Sequence, residues 1–388
     1  MKNLYKIIII AFVTLFLCGC NNAKISEIKF ATWGSKTEIS IVKPIVEEYN
    51  KTHPVKVRLV HIPQNYFQKL HLLFASNLAP DVIFINNLYL KIYQKAGLLE
   101  DLSAYTNETD YFKNALSAMS VDGKLYAIPR DISSFVIFYN RDIFKKADII
   151  PDKNWNIENF YANAKELKKY VQTGFCTEFD AVSWENFVSI DSKPIFTDEK
   201  LTIADKASTD ALQKLSDKIN EEGLGANKEQ ISLSPCAQLF MNQKTAMFVS
   251  GRWSVPKLNS NPKLKYGVLP FPKGQSKYYI PLNSSGWAVY KNSKNKDAAI
   301  DFVKYISSDE NIEKMVNSGL ITPANKKIAD SNNFKNGEIF IDIIEKSTPN
   351  NVPADYNIII DKVNNAAISV LGGYKTAKEA IEPLFKEY

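Results

Sequence analysis

Hydrophobic positions alternate between strand-like and helix-like spacing along most of the chain. Strand patterns cover Glu27–Trp33 and Val55–Val60, and a continuous apolar run covers Val82–Ile85. Between these runs, apolar residues recur at helical spacing over 35–50 and 63–77. Strands that alternate with helices are typical of α/β proteins. The pattern therefore predicts an α/β fold.

Local sequence features indicate how the first elements begin and end. Ser35 and Glu38 have the spacing of a capping box at a helix start. Pro44, inside that helix, predicts a kink. The strand before residue 86 stops at Asn86-Asn87. Ligands in open α/β sheets lie outside the carboxyl ends of strands, so these amides are binding candidates, and an Asx turn or helix cap is the alternative.

The middle of the chain contains a hairpin that leads into a second part of the molecule. Asp122-Gly123 predicts a tight turn between short strands. The chain then passes through Pro129 into a second apolar stretch that ends at Asn140, which would carry it from one lobe to another. Later helices are predicted at about 157–170, 207–222, 295–307 and 309–318, and short strands at 247–249, 266–269 and 286–290.

The first twenty residues have a different character. Lys2 and Lys6 precede the apolar run Ile7–Leu17, which is too short to span a bilayer and is typical of a secretory signal. Leu17-Cys18-Gly19-Cys20 then resembles the bacterial lipobox, in which the last cysteine is acylated. The resemblance implies a signal peptide over 1–19, lipidation (palmitate) of Cys20, a tether over 20–26 and an extracytoplasmic, membrane-anchored protein. An ordinary secretory signal is the alternative.

Length, charge and cysteine content narrow the class further. A chain of 388 residues with 45% apolar content can bury two sizeable cores. The formal net charge of +6 includes the two leader lysines, and no basic tract contains interleaved aromatics, so nucleic acid is not an expected partner. Cys176 and Cys236 stay after leader removal. They pair in an oxidising compartment or stay as two free thiols, and the sequence leaves both open.

Five stretches carry a family resemblance. They are "KFATWGSKTE", "APDVIFINN", "DGKLYAIPRDISSFVIFYNRDIF", "AMFVSGRW" and "SSGWAVYKNSKNKDAAIDFVKYIS". In this order they resemble landmarks of the family 1 extracellular solute-binding proteins, the sugar receptors of ABC importers related to maltose-binding protein. The resemblance extends from about residue 27 to the C-terminus.

The resemblance implies a two-lobed α/β fold of the periplasmic-binding-protein type II, with central mixed sheets flanked by helices. The chain would cross between lobes near Arg130–Ser133, Tyr279–Asn283 and Ile321–Asn325. Lobe I would comprise 27–131 plus 284–322, and lobe II 132–283 plus 323–388. A ligand would bind in the cleft and be trapped by hinge closure, which requires that it bind the closed form better than the open one.

Sugar binding makes definite physical demands on such a cleft. A pyranose has an apolar face that packs on an aromatic ring and a rim of hydroxyls that need hydrogen-bond partners. By resemblance, Trp253 in "GRW" and Trp287 in "SGW" occupy positions where relatives place stacking aromatics. Gly286 would allow close approach of the backbone. A core position is the alternative for each tryptophan.

Further ligand-binding candidates each have a structural alternative. Trp33 lines the cleft or belongs to the core, and Glu38 binds hydroxyls or caps a helix. Asp131 binds ligand or forms a hinge ion pair with Arg130, and Arg252 contacts ligand or lies on the surface. The remaining candidates are Tyr66, Asn86, Asn87 and Ser133, the last of which replaces an acidic residue of some relatives.

Catalytic patterns are weak in this sequence. It contains His53, His61 and His71 but no metal-binding or nucleotide-binding motif. Together with the missing motifs, the resemblance implies a monomeric binding protein without cofactor or metal, which takes an uncharged sugar and delivers it to ABC permease subunits. An extracytoplasmic glycoside hydrolase is the rival in another class, since carboxylate separations are not visible in a sequence. Receptors for polyols or other solutes, or for a membrane sensor, also fit.

Overall fold

The computed structural model describes residues 27–203, 205–274, 280–331 and 337–385. The predicted signal peptide, Cys20, the tether and Tyr279 lie outside the described residues. Within them, no helix combines the length and the apolar character needed to cross a membrane.

Short strands alternate with helices, as the hydrophobic pattern predicts. The strands are β1 (Glu27–Thr32), β2 (Lys56–His61), β3 (Val82–Asn86), β4 (Ser120–Val121), β5 (Lys124–Leu125), β6 (Ile128–Ser133), β7 (Val136–Asn140), β8 (Thr173–Cys176), β9 (Phe196–Thr197), β10 (Lys200–Leu201), β11 (Thr245–Ser250), β12 (Tyr266–Pro270), β13 (Pro281–Val289) and β14 (Thr348–Pro349).

The helices cover the sheets. They are α1 (Lys36–Thr52), α2 (Tyr66–Ala75), α3 (Asn87–Lys95), α4 (Lys113–Ala118), α5 (Arg141–Lys146), α6 (Ile157–Leu167), α7 (Ala181–Ser189), α8 (Lys206–Asn220), α9 (Lys228–Leu233), α10 (Cys236–Met241), α11 (Val255–Asn259), α12 (Lys296–Ile306), α13 (Asp309–Asn317), α14 (Lys326–Ser331), α15 (Gly337–Lys346), α16 (Tyr356–Leu371) and α17 (Ala377–Phe385).

Two mixed sheets form the frame of the molecule. The first has the order β14-β13-β3-β1-β2, with β6 also paired to β13. In it, β1 is parallel to β2 and β3, while β13 is antiparallel to β3 and β6. The second has the order β12-β7-β11-β8, in which only the β8–β11 pair is parallel. The predicted mixed α/β architecture is confirmed.

Each sheet is buried on both faces. On β3, Phe84 packs in one core cluster and Ile85 in another. On β7, Phe138 and Ile137 divide in the same way between two further clusters. Because consecutive strand side chains point to opposite faces, each sheet supports cores above and below it. The fold has two lobes, each built around one sheet.

The chain moves between the two sheets in consecutive elements. Strand β6 belongs to the first sheet and β7 to the second, and β12 of the second sheet precedes β13 of the first. After α13, segment 321–325 lies against β6: Ile132 N donates to Thr322 O (3.1 Å), and Ala324 N donates to Arg130 O (3.2 Å). Helices α15 and α16 then pack on the second sheet's core clusters.

Local sequence signals correspond to the observed termini and turns. Ser35 Oγ accepts a hydrogen bond from Glu38 N (3.2 Å) at the start of α1, which is one half of the predicted capping box. Helix α1 continues through Pro44 to Thr52. Asp122 and Gly123 have φ values of 51° and 77°, so both adopt the left-handed conformation that a two-residue hairpin turn requires.

The two described cysteines form a disulfide. Cys176 ends β8 and Cys236 begins α10, with their Cα atoms 5.5 Å apart. Both side chains are buried in the same core cluster of the second lobe. Of the two possibilities that the sequence leaves open, the structure contains the paired form.

A buried carboxyl lies in the second lobe. Glu185 on α7 accepts hydrogen bonds from Ile195 N (3.0 Å) and Asn350 Nδ2 (3.3 Å). Burial raises the pKa of Glu185 to about 7, because a desolvated carboxylate is disfavoured relative to its neutral form. The folded protein therefore holds a proton here at pH values where the unfolded chain has lost it.

We predict that Glu185→Gln removes part of the pH dependence of stability. A raised pKa means that this group lowers the free energy of unfolding as pH rises from about 4.5 to about 7. Relative to the wild type, the variant should gain up to about 3 kcal/mol at pH 8 and almost nothing at pH 4. Urea unfolding at both pH values measures this, with Glu345→Gln on an exposed part of α15 as control. Equal pH slopes in the three proteins would contradict the prediction.

Candidate binding cleft

A cavity of about 390 Å³ lies between the two lobes. Its first-lobe wall comes from the loop and helix start after β1, from β6 and from β13. Its second-lobe wall comes from the turn after β11 and from α11, and segment 320–322 closes one side. The residues that line it are Trp33, Gly34, Ser35, Glu38, Arg130, Asp131, Ser133, Arg252, Trp253, Ser254, Lys257, Asn283, Ser285, Leu320, Ile321 and Thr322.

Trp253 presents a large apolar surface in this cavity. It lies in the short 3-10 turn Arg252–Ser254 after β11, and 41% of it is exposed. A Cβ atom at Gly251 would come within 2.0 Å of the indole ring. The ring therefore lies directly against the Gly251 backbone, with Phe135 at a centroid distance of 5.3 Å in edge contact. Glycine at this position is what allows the exposed ring to be held in place.

Trp33 lines the first-lobe wall of the cavity. Its ring packs on Phe84 at 4.2 Å, on Tyr66 at 4.9 Å and on Phe67 at 5.5 Å. Tyr66 itself is buried, and its hydroxyl donates to Ala31 O (3.0 Å). The prediction that Tyr66 lines the cleft is wrong. As the first residue of α2, it lies in the core of the first lobe, where its ring packs against Trp33.

Charged side chains cluster beside Trp33. The Arg130 guanidinium donates from Nε to Asp131 Oδ2 (2.6 Å) and from Nη1 to Glu38 Oε1 (3.4 Å). It also lies over the Phe84 ring, 4.1 Å from the centroid. Asp131 accepts a further hydrogen bond from Ser285 N (3.2 Å). The expected Arg130–Asp131 ion pair is present, and both residues also line the cavity.

A bulge in β6 explains how two adjacent residues reach the same cavity. Ser285 pairs with Asp131 and the next residue, Gly286, pairs with Pro129. Arg130 is therefore the extra residue of β6 opposite β13. A bulge redirects side chains and is frequent beside functional sites. Here it lets Arg130 and Asp131 face Glu38 together.

Burial changes the pKa of the two carboxyl groups that line the cavity, those of Glu38 and Asp131. It raises the pKa of Glu38 and that of Asp131, while the Arg130 charge opposes the shift in both cases. The Glu38 carboxylate accepts a long hydrogen bond from Arg130 Nη1 (3.4 Å) and also interacts with the Ser35 backbone at the start of α1. Glu38 therefore has acceptor capacity left for a ligand in the cavity.

Arg252 connects the second lobe with the segment that closes the cavity. Its Nε donates to Ile321 O (2.7 Å), after the end of α13, and its Nη2 donates to Val316 O (3.3 Å) in the last turn of that helix. Burial lowers its pKa to about 10, so the side chain is still a cation at neutral pH. The alternative of a surface arginine is wrong, because only 3% of the residue is exposed.

The structure places Trp287 outside the cavity, so its prediction as a stacking residue is wrong. It is 1% exposed and packs in the first-lobe core with Phe84 at 6.3 Å. Alternation along β13 puts Asn283, Ser285 and Trp287 on one face. The first two line the cavity, whereas Trp287 lies further along the strand in the core under α1 and α12.

Gly286 and the two asparagines also serve the fold. A Cβ at Gly286 would lie 2.3 Å from Ile128 O, so this glycine permits close pairing of β13 and β6 instead of contact with a ligand. Asn86 caps α3 by accepting from Tyr89 N (3.1 Å). Asn87 accepts from Ser284 N (3.0 Å) and ties α3 to β13. None of these three lines the cleft.

Several lining residues were not predicted. Asn283 and Ser285 could have been found, because they are the polar positions of β13 that alternate with buried ones. Lys257 and Thr322 carry no comparable pattern. They reach the cavity only because the chain returns to it from α11 and from the end of α13.

A second cavity of about 400 Å³ lies elsewhere between the lobes. Among the described residues, it is lined mainly by polar groups, including Asn87, Lys91, Glu199 and Asn350, and by no aromatic ring. Lys91 and Glu199 form an ion pair beside it. It lacks the apolar platform that the face of a sugar ring requires.

The two lobes enclose a cavity with the volume of a small-molecule binding site. The chain belongs to the bacterial extracellular solute-binding protein family, whose sequence profile matches residues 44–340. Membership places it among extracytoplasmic binding proteins, as the sequence predicts, and not among enzymes.

Individual relatives are similar over almost the whole chain. The galactooligosaccharide-binding protein of Bacillus subtilis is 24% identical over 96% of this chain and 93% of its own. The arabinooligosaccharide-binding protein of the same organism is 25% identical over 97% and 96%. An ABC substrate-binding protein from Listeria monocytogenes, solved in complex with cycloalternan, superposes with a TM-score of 0.85 at 25% identity, over 93% of this chain and 97% of that one.

Proposed function

We propose that this protein is a receptor that captures a sugar in the interlobe cavity and delivers it to an ABC import permease. The observation that carries the proposal is the exposed Trp253 ring facing a cavity whose opposite wall holds Glu38, Asn283 and Ser285. An indole suits the apolar face of a pyranose, and the polar groups suit its hydroxyls. Relatives named for galactooligosaccharides and arabinooligosaccharides support an oligosaccharide.

The charges around the cavity favour an uncharged ligand. Arg130 is engaged by Asp131 and Glu38, and Arg252 by backbone carbonyls. Both arginines of the lining therefore face protein partners. A phosphorylated or carboxylated solute that pairs with either guanidinium would have to displace one of these partners.

The same contacts disfavour glycoside hydrolysis. Hydrolysis needs two carboxyl groups that flank the scissile bond. Glu38 and Asp131 lie on the same lobe, and one guanidinium is bonded to both. This arrangement suits hydrogen bonding to hydroxyls from one wall.

Lobe boundaries at 131/132, 283/284 and 322/323 are part of the proposal. They are supported by the change of sheet between β6 and β7 and between β12 and β13. Hinge motion at these segments would let a monomeric receptor close on its ligand and present the closed form to permease subunits.

We predict that Trp253→Ala weakens sugar binding by about 10- to 100-fold, because a buried aromatic contact with the ligand is lost. Isothermal calorimetry with galactotriose, arabinotriose, maltotriose and cycloalternan measures the affinity, after a thermal-shift screen selects the sugar that raises the melting temperature most. Tyr170→Ala, an aromatic with 47% exposure outside the cavity, is the matched control.

The control should bind as the wild type does. If Trp253→Ala also binds like the wild type, the indole is not part of the binding site. If none of the four sugars shifts the melting temperature of the wild type, an oligosaccharide receptor is the wrong assignment.

A lipid anchor on Cys20 is the remaining part of the proposal. It is supported by the lipobox-like Leu17-Cys18-Gly19-Cys20 after the apolar run. Several acyl chains on one residue would hold the protein at a membrane more firmly than a single chain.

We predict that Cys20→Ser abolishes acylation and releases the protein from membranes. Fractionation of cells that express each form, with mass spectrometry of the mature N-terminus, tests this. Cys18→Ser is the control that should leave anchoring intact. Retention of the Cys20→Ser protein in the membrane fraction would mean that another element anchors it.

A further inference from the structure

The backbone of Thr322 is fixed at the side of the cleft. Its carbonyl accepts from Ile132 N (3.1 Å), and the next residue, Pro323, forms a bridge with Asp131. Ala324 N then donates to Arg130 O (3.2 Å). Residue 322 is thus held on β6 from both sides, so its side chain has a defined position on the cavity wall.

The hydroxyl of Thr322 lacks a protein partner. The residue is 1% exposed, and no described residue hydrogen-bonds to its Oγ1. Buried hydroxyls are normally satisfied, and leaving one unpaired costs stability. A few other buried polar atoms share this condition, among them Thr177 Oγ1, but Thr322 is the one that lines the cleft cavity.

We propose that Thr322 is a specificity-determining residue whose hydroxyl pairs with a hydroxyl of the bound sugar. This inference rests on the proposed sugar-binding function. A threonine hydroxyl donates one hydrogen bond and accepts two. The oxygen itself has almost no accessible surface in this structure. Rotation about the Cα–Cβ bond would exchange the positions of the oxygen and the methyl group without backbone movement.

The apolar residues beside Thr322 make its hydroxyl the polar side-chain group of this segment. Its neighbours on the same segment, Leu320 and Ile321, are apolar residues that also line the cavity. A sugar hydroxyl next to this segment therefore finds its side-chain partner in Thr322. Discrimination follows, because a site built to pair one hydroxyl disfavours solutes that lack it.

The test compares three variants by calorimetry with the four sugars named above, using the one that stabilises the wild type most. Thr322→Val keeps the shape and removes the hydroxyl, and it should weaken binding about 5- to 50-fold. Thr322→Ser keeps the hydroxyl and should bind within about threefold of the wild type. Thr177→Val, at the other buried unpaired threonine, should bind like the wild type.

Melting temperatures of the unliganded proteins separate binding from folding. Thr322→Val should melt no lower than the wild type, because it removes a buried unpaired hydroxyl. Two results would overturn the proposed role of Thr322 and leave the sugar-binding function intact. One is wild-type affinity in Thr322→Val, and the other is weak binding by this variant together with a lowered melting temperature. Failure of all four sugars to bind the wild type would instead overturn the sugar-binding function together with this inference.

Discussion

Backbone pairing among the three segments that join the lobes is the constraint on which the cleft depends. Strand β6 pairs with β13 on one side and with segment 321–325 on the other, and Asp131 takes part in both contacts. Asp131 also accepts from Ser285 N and from Arg130. The Asp131 carboxyl thus connects β6 with β13, and its backbone connects β6 with Pro323. Small rotations at such joining segments are how two-lobed binding proteins move whole lobes.

Two glycines show how the same residue type serves different purposes on the two lobes. At Gly251 the missing side chain leaves room for the ring of Trp253, which would otherwise collide with a Cβ. At Gly286 it leaves room for the Ile128 carbonyl of the neighbouring strand. The first glycine shapes the proposed ligand platform, and the second shapes the sheet behind it. Both follow from close approach of heavy atoms, and neither requires an unusual backbone conformation.

The fold was predictable from the sequence because its signals are local. Alternating strands, the Ser35 cap and the Asp122-Gly123 turn are set by neighbours within a few residues, and the structure confirms them. The cleft was predictable only in part. Trp253 and Trp287 follow glycine in similar motifs, yet the position along β13 buries one and the turn after β11 exposes the other.

Pairing between strands that are distant in the sequence explains the other differences between the predicted and the observed cavity. The bulge at Arg130 depends on β13, which lies about 150 residues further along the chain. Thr322 approaches the cavity only through its contacts with β6. Such long-range contacts leave no periodic pattern in the sequence, so these residues emerge only from the folded chain.

The central claim is that a neutral sugar lies between Trp253 and the wall formed by Glu38 and β13. A crystal structure of the protein grown with the most stabilising of the four sugars tests it most directly. The account predicts sugar density on the Trp253 ring, with hydroxyls within hydrogen-bond distance of Glu38. Density in the polar cavity beside Lys91 and Glu199, with the Trp253 ring uncovered, would contradict it.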